Sequence, residues 1–228
     1  MKFLRKIKMI LKGDENMSLF LGKVHYWLFN KIEWFENLEE EIVNFAQKEN
    51  LPVREWREAI YEKYGTPTEK KSLEEIIDTS NIHGWLQSRI EAAEKRHAAW
   101  ITKILNENIK YKNELIKIFE QQGKEAGREY RLQDVPIENT EDIYKALNDF
   151  ILEGMPCDRV NEVTNISEDE FSWRTVRCLH KEYWEEIKGD VKNFYELRES
   201  WINGFVKEVN NKFTFQRYEN GIQKIIRK

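Results

Sequence analysis

Between Pro67 and Pro136 the chain carries no proline. Proline lacks the amide hydrogen that a helix interior needs and clashes with the preceding turn, so its absence leaves this run free to be helical. Along it Leu86, Ile90, Ala93, His97, Trp100 and Ile104 alternate steps of three and four, and Tyr111, Leu115, Ile118 and Phe119 prolong the stripe. That spacing predicts one continuous helix over residues 82–122, capped from Thr79, Ser80 or Asn81 and fraying at Gly123 or Gly127.

The same period runs from Met17 to Asn50, where Leu21, Leu28, Ile32, Phe35, Ile42 and Phe45 make one face of a long helix or of two in line. Pro52 opens a further helix with Val53, Trp56, Ile60 and Tyr64 inward. Ser72 with Glu75 spells a capping box before Ile76 and Ile77. Another helix covers Thr140 to Leu152 and stops at Gly154-Met155-Pro156.

Beyond that bend the pattern changes. Phe171 to Cys178 is rich in β-formers and reads as a strand, while Ser167 and Glu170 leave a capped helix as the alternative. Leu179 to Ile187 and Val191 to Val209 read as helices. Phe213–Glu219 and Ile222–Ile226 flank Asn220-Gly221, which predicts a hairpin closed by a two-residue type I′ turn. The expected fold is α+β and predominantly α-helical: a helical body with one long central helix and a small C-terminal antiparallel sheet. It forms a single domain with a helical part, 1–155, and a mixed part, 156–228.

Acids exceed bases by 41 to 37, which argues against a general nucleic-acid binder. No segment approaches the roughly 20 consecutive apolar residues of a membrane span. Lys6, Lys8 and Lys12 interrupt Phe3, Leu4, Ile7, Ile10 and Leu11, so the start lacks the unbroken apolar core of an export signal, and a cytoplasmic protein is expected. This basic amphipathic stretch either packs on the body or touches anionic lipid or a partner. The 2 cysteines make no disulfide framework.

Chemistry rests on few residues. Cys178, between Arg177 and His180, is a candidate nucleophile, and a thiol needs a neighbouring cation or imidazole to become a thiolate. His180 lies two residues on and points away from the thiol in a strand or a helix, so another histidine would have to approach. Cys157, Cys178, His180 and His83 are the available soft ligands for zinc, without the usual short Cys-x-x-Cys spacing. Glu94 and His97 match one Glu-x-x-His element of di-iron bundles, but no second copy exists. No phosphate loop, dinucleotide fingerprint, Gly-x-Ser-x-Gly or His-Glu-x-x-His is present. The 8 tryptophans serve the core or wall a pocket for a flat heterocycle or a cation.

Three stretches, in order, resemble the L-2-amino-thiazoline-4-carboxylic acid hydrolase family: Glu91-Ala92-Ala93-Glu94-Lys95-Arg96-His97-Ala98-Ala99-Trp100, Gly123-Lys124-Glu125-Ala126-Gly127-Arg128, and Phe171 to Cys178 with Glu182-Tyr183. The resemblance implies hydrolytic opening of a cyclic amidine in a small-molecule substrate, with no cofactor required. It assigns Cys178 as nucleophile, His97 as base and Glu94 as its orienting carboxylate. Arg177 would anchor a substrate carboxylate, with Trp100 and His83 lining the pocket. The alternative is a non-catalytic helical protein that binds a partner, or a metal or cofactor such as zinc or iron, through its histidines. Prediction of the site thus turns on Cys178 lying near His97.

Overall fold

A computed structural model describes residues 21–228, so the basic stretch at 3–11 lies outside the described residues. Eight α-helices and four strands follow in order among them: α1 (Lys23–Lys48), α2 (Val53–Tyr64), α3 (Leu73–Ile76), α4 (Ile82–Glu107), α5 (Lys112–Arg131), α6 (Thr140–Asn148), β1 (Asn161–Ile166), β2 (Glu170–Thr175), α7 (His180–Glu186), α8 (Val191–Val209), β3 (Phe213–Arg217) and β4 (Ile222–Arg227). None of these helices is long and apolar enough to cross a membrane. The predominantly helical α+β fold expected from the sequence is the fold observed.

α1 and α4 are the spine. α1 buries Leu28, Ile32, Phe35 and Ile42 against α4, which is covered on nearly every side and buries Leu86, Ile90, Ala93, Trp100 and Ile104. Each of the larger of these side chains contributes about 1.5–3 kcal/mol by leaving water, and the Ala93 methyl about 0.8 kcal/mol. α2 closes the far side, with Trp56 tilted onto Trp100 at a centroid distance of 6.3 Å. Ser72 and Glu75 do form the capping box of α3.

The single helix expected over 82–122 is instead two. α4 ends at Glu107, Asn108 is extended at φ −157° and ψ 116°, and a 3₁₀ turn at Ile109–Tyr111 leads into α5. Asn108 Oδ1 accepts from Lys110 N at 3.0 Å, a local bond that competes with the helix interior and lets α5 leave in a new direction. Nor does α5 fray at its glycines. A Cβ on Gly123 would sit 2.0 Å from the Trp201 carbonyl oxygen, and one on Gly204 2.2 Å from that of Glu120. Here hydrogen in place of a side chain lets α5 and α8 meet backbone to backbone.

The sheet is antiparallel with order β1-β2-β4-β3. The strand reading of Phe171 onward holds as far as Thr175. Ser167 and Glu170, the alternative helix cap, instead make the β1–β2 turn, with Ser167 N donating to the Glu170 carbonyl at 2.8 Å. The β3–β4 hairpin forms, but one residue off the register that a two-residue turn at Asn220-Gly221 dictates: Phe215, not Gln216, lies opposite Ile225, and the loop has three residues, Glu219 to Gly221. Its turn differs from type I′: Gly221 N donates to the Tyr218 carbonyl, and only Gly221 has positive φ, at 79°. Phe171, Trp173, Phe215 and Ile225 are buried, and Tyr144 of α6 stacks on Phe171 at 4.2 Å. α6 ends at Asn148 rather than Leu152; a turn in which Phe150 N and Ile151 N donate to the Leu147 carbonyl leaves Phe150 to Leu152 as buried irregular chain beside α8.

Candidate functional site

β2 ends at Thr175, and Val176 to Leu179 carry the chain into α7. Cys178 is therefore presented from the connection rather than from a strand. Its Sγ accepts from Lys181 N at 3.3 Å and from Tyr195 Oη of α8 at 2.8 Å. The Arg217 guanidinium lies 4.4 Å above the Tyr195 ring. Burial and the bond to Cys178 raise the Tyr195 hydroxyl well above its usual range, so it stays a donor to sulfur.

Behind the thiol lies a buried row of alternating charge. Glu94 of α4, His180 of α7 and Arg198 of α8 are 1%, 2% and 9% exposed. His180 Nδ1 is 3.1 Å from Glu94 Oε2, an ion contact without hydrogen-bond alignment, so both Glu94 oxygens remain without a hydrogen bond. On the other side His180 Nε2 lies 3.8 Å from Glu153 Oε2, and Arg198 donates to both Glu153 and the Leu152 carbonyl. Burial alone would neutralise His180, but Glu94 and Glu153 outweigh it and hold the imidazole at about 9. Burial likewise opposes ionised Glu153, yet Arg198, His180 and Lys31 bring it down to about 2. Given an imidazolium, the 3.2 Å approach of Arg198 Nη1 to His180 Nε2 is two cations sharing one carboxylate, not a hydrogen bond.

His180 and Arg177 stand between two depressions. The larger, about 130 Å³, is lined by Gln87, Glu94, Asp158, Cys178 and Tyr183 as well. The smaller, about 10 Å³, is walled by Tyr195, Arg217 and Gln223 and admits no more than a water. Arg177 is exposed and lines both depressions.

The structure thus brings together Cys178, Glu94, Arg177 and His180, and leaves His97 and Trp100 elsewhere. His97 stacks on Phe35 at 4.0 Å and meets the edge of Phe119 at 5.9 Å, and neither ring nitrogen has a hydrogen-bond partner, the Cys178 thiol included. Burial, with Arg96 and Arg198 nearby, pushes it down to about 3, so it is a neutral core residue. The expected Cys178–His97 pair does not form; the mid-helix stripe that was to aim His97 at the site faces α1 and α5. Glu94 orients no histidine at position 97 and faces His180 instead. Trp100 is fully buried and donates from Nε1 to Glu39 at 3.2 Å. His83 faces His25, Nε2 to Nε2 at 3.4 Å, where burial and the facing ring hold His25 below its ordinary value. Cys157 is exposed on the 3₁₀ turn Pro156–Asp158. Among the described residues no three His, Cys, Asp or Glu side chains converge to hold a metal, so Cys157, Cys178, His180 and His83 do not make the four-ligand zinc set.

Sequence reasoning missed Tyr195, Arg198 and Glu153. Arg198 carried a signal: it falls on the stripe of Phe194, Trp201 and Phe205, and a charge on an apolar face needs a buried partner. Glu153 lies in irregular chain, where no periodicity marks it. No family model, no curated protein and no solved structure matches the chain.

Proposed function

We propose that the Cys178 cleft is the active site of a small-molecule hydrolase that opens a C–N bond of a cyclic amidine. One observation carries the reading: a carboxylate that is 1% exposed, with neither oxygen hydrogen-bonded, lines the same cleft as a thiol held by two donors. An unsatisfied buried carboxylate is costly, and the planar pair of N–H donors on an amidine satisfies it in two-point fashion. Tyr195 Oη and Lys181 N are placed to hold negative charge on sulfur during attack.

In this reading Sγ bonds to the amidine carbon, the C=N pair moves onto nitrogen, and the thiol proton passes to Glu94. Glu94 returns that proton to nitrogen as the ring C–N bond breaks. Water then adds at the sulfur-bound carbon and releases the thiol with a ureido or carbamoyl product. His180 remains imidazolium throughout and acts as a positioning residue for Glu94. Arg177, exposed at the mouth, suits an anionic group on the substrate. The resemblance to the aminothiazoline carboxylate hydrolases supports the same chemistry, with Glu94 taking the role that it assigned to His97.

Alkylation by 2-chloroacetamidine, compared with neutral chloroacetamide, tests this. The cationic reagent should label Cys178 at least tenfold faster than the amide, and Glu94→Gln should erase that preference while leaving the amide rate unchanged. Equal rates for both reagents in the unaltered protein would refute the amidine site, whatever other activity the protein has.

A further inference from the structure

We propose that His25 and His83 form a binding site for a borderline divalent metal ion of the zinc type, clamped between the first turns of α1 and α4. The two residues lie far apart in sequence and come from different helices, yet their Nε2 atoms are 3.4 Å apart. That is long for a hydrogen bond, which favours roughly 2.9–3.0 Å. It matches the spacing of two imidazoles on one tetrahedral ion: with metal–nitrogen bonds of about 2.0–2.1 Å, neighbouring ligands sit roughly 3.3–3.4 Å apart. The ring planes are inclined at 51° with centroids 5.5 Å apart. The helix ends that carry them are pinned by Phe29 against Trp85, centroids 6.1 Å apart, so the spacing is set by packing. His83 is exposed and His25 half-buried, which leaves an ion and its waters a way in.

The hydrogen balance is simple. His25 Nδ1 accepts from Gly22 N at 2.9 Å, so the neutral ring carries its hydrogen on Nε2, toward His83. Ligation through Nε2 moves that hydrogen to Nδ1 and gives up the Gly22 contact, and water replaces it because Gly22 is exposed. No net proton is gained or lost. His83 carries its hydrogen on Nδ1 and offers Nε2 directly. No third protein ligand converges here among the described residues, so water completes the shell. Imidazole ligands favour zinc, copper or nickel, whereas magnesium prefers oxygen. This site is independent of the Cys178 chemistry and uses none of its residues.

Zinc titration of the full chain, read by competition with a chromophoric chelator, tests the proposal, with cobalt absorption as a second readout. One equivalent of zinc should bind, and His25→Gln and His83→Gln should each weaken it roughly tenfold or more. Far-UV circular dichroism should be unchanged in both variants, and magnesium in excess should not compete. Stoichiometric zinc that both variants retain at full affinity would overturn the site, as would the absence of any stoichiometric binding or displacement by magnesium.

Discussion

Two buried charge networks leave α4 two residues apart, and they are built on opposite terms. Around Arg96 each of the three nitrogens has an acceptor: Nε bonds Glu39 at 2.8 Å, Nη2 bonds Glu36 at 2.6 Å, and Nη1 reaches the Thr66 carbonyl at 3.4 Å. Glu39 also takes Trp100 Nε1, and Glu36 takes Thr68 N at 3.0 Å. Around Glu94 both carboxylate oxygens lack hydrogen bonds and a cleft opens beside them. Burial raises Glu39 despite its guanidinium partner, whereas charge overrides burial at Glu153 and His180. A closed network ties α1, α4 and the loop after α2 into one body. An open network keeps unspent bonding capacity where a ligand can use it.

The closed network should show the largest effect on stability. Arg96→Met leaves Glu39 buried without its cation, and such single removals cost about 3–5 kcal/mol. Urea unfolding at neutral pH should register that loss, and it should shrink in acid as Glu39 takes up a proton. The double variant Arg96→Met/Glu39→Leu should recover much of it, because replacing both members removes the orphaned charge. A double variant as unstable as the single one would mean that the helices depend on the pair itself.

The open network should instead show itself in the pH profile. His180 at about 9 lies above its ordinary 6.5, so its contribution is full below about 6.5 and fades as pH rises through 9. Glu153 at about 2 lies below its ordinary 4.5, so its contribution is full above about 4.5 and fades as pH falls toward 2. Glu94→Gln should lower stability near pH 6, though by less than the roughly 3–5 kcal/mol of orphaning a buried charge outright, because His180 keeps Glu153 as its second carboxylate. It should also bring the alkaline limb to lower pH, because His180 loses one of its two carboxylates. Thermal melts from pH 5 to 10 check both; an unmoved alkaline limb would detach His180 from Glu94.

What the sequence disclosed follows the same division. The stripes of α1, α4 and α8 are legible because burial repeats at the helical period, and the Asn220-Gly221 hairpin is legible because its turn chemistry is local. The break at Asn108 is not, since the stripe stays in phase from Ile104 to Tyr111 and one side-chain bond decides the matter. β1 escaped because five of its six residues are exposed and show no alternation. At the site, Cys178, Glu94 and Arg177 were readable as reactive types. Which histidine joins them was not, because His97 and His180 differ only in what the tertiary fold puts against each ring.

The smallest effect expected is at His97, and it separates the two networks most cleanly. Its ring packs on Phe35 and Phe119 with two unbonded nitrogens, so His97→Phe keeps the aromatic contacts and removes two unsatisfied polar atoms. The change should lie within about 1.5 kcal/mol of neutral at pH 7, the range for volume-conserving core swaps. In acid the sign is fixed. His97 at about 3 lies below its ordinary 6.5, so its contribution is present above about 6.5 and is lost as pH falls toward 3. His97→Phe should therefore resist unfolding at pH 4 better than the unaltered chain does. Labelling of Cys178 by 2-chloroacetamidine should be unchanged in this variant. A variant that folds normally but loses that labelling would return His97 to the role of base and make the Glu94–His180 row a structural network like that of Arg96.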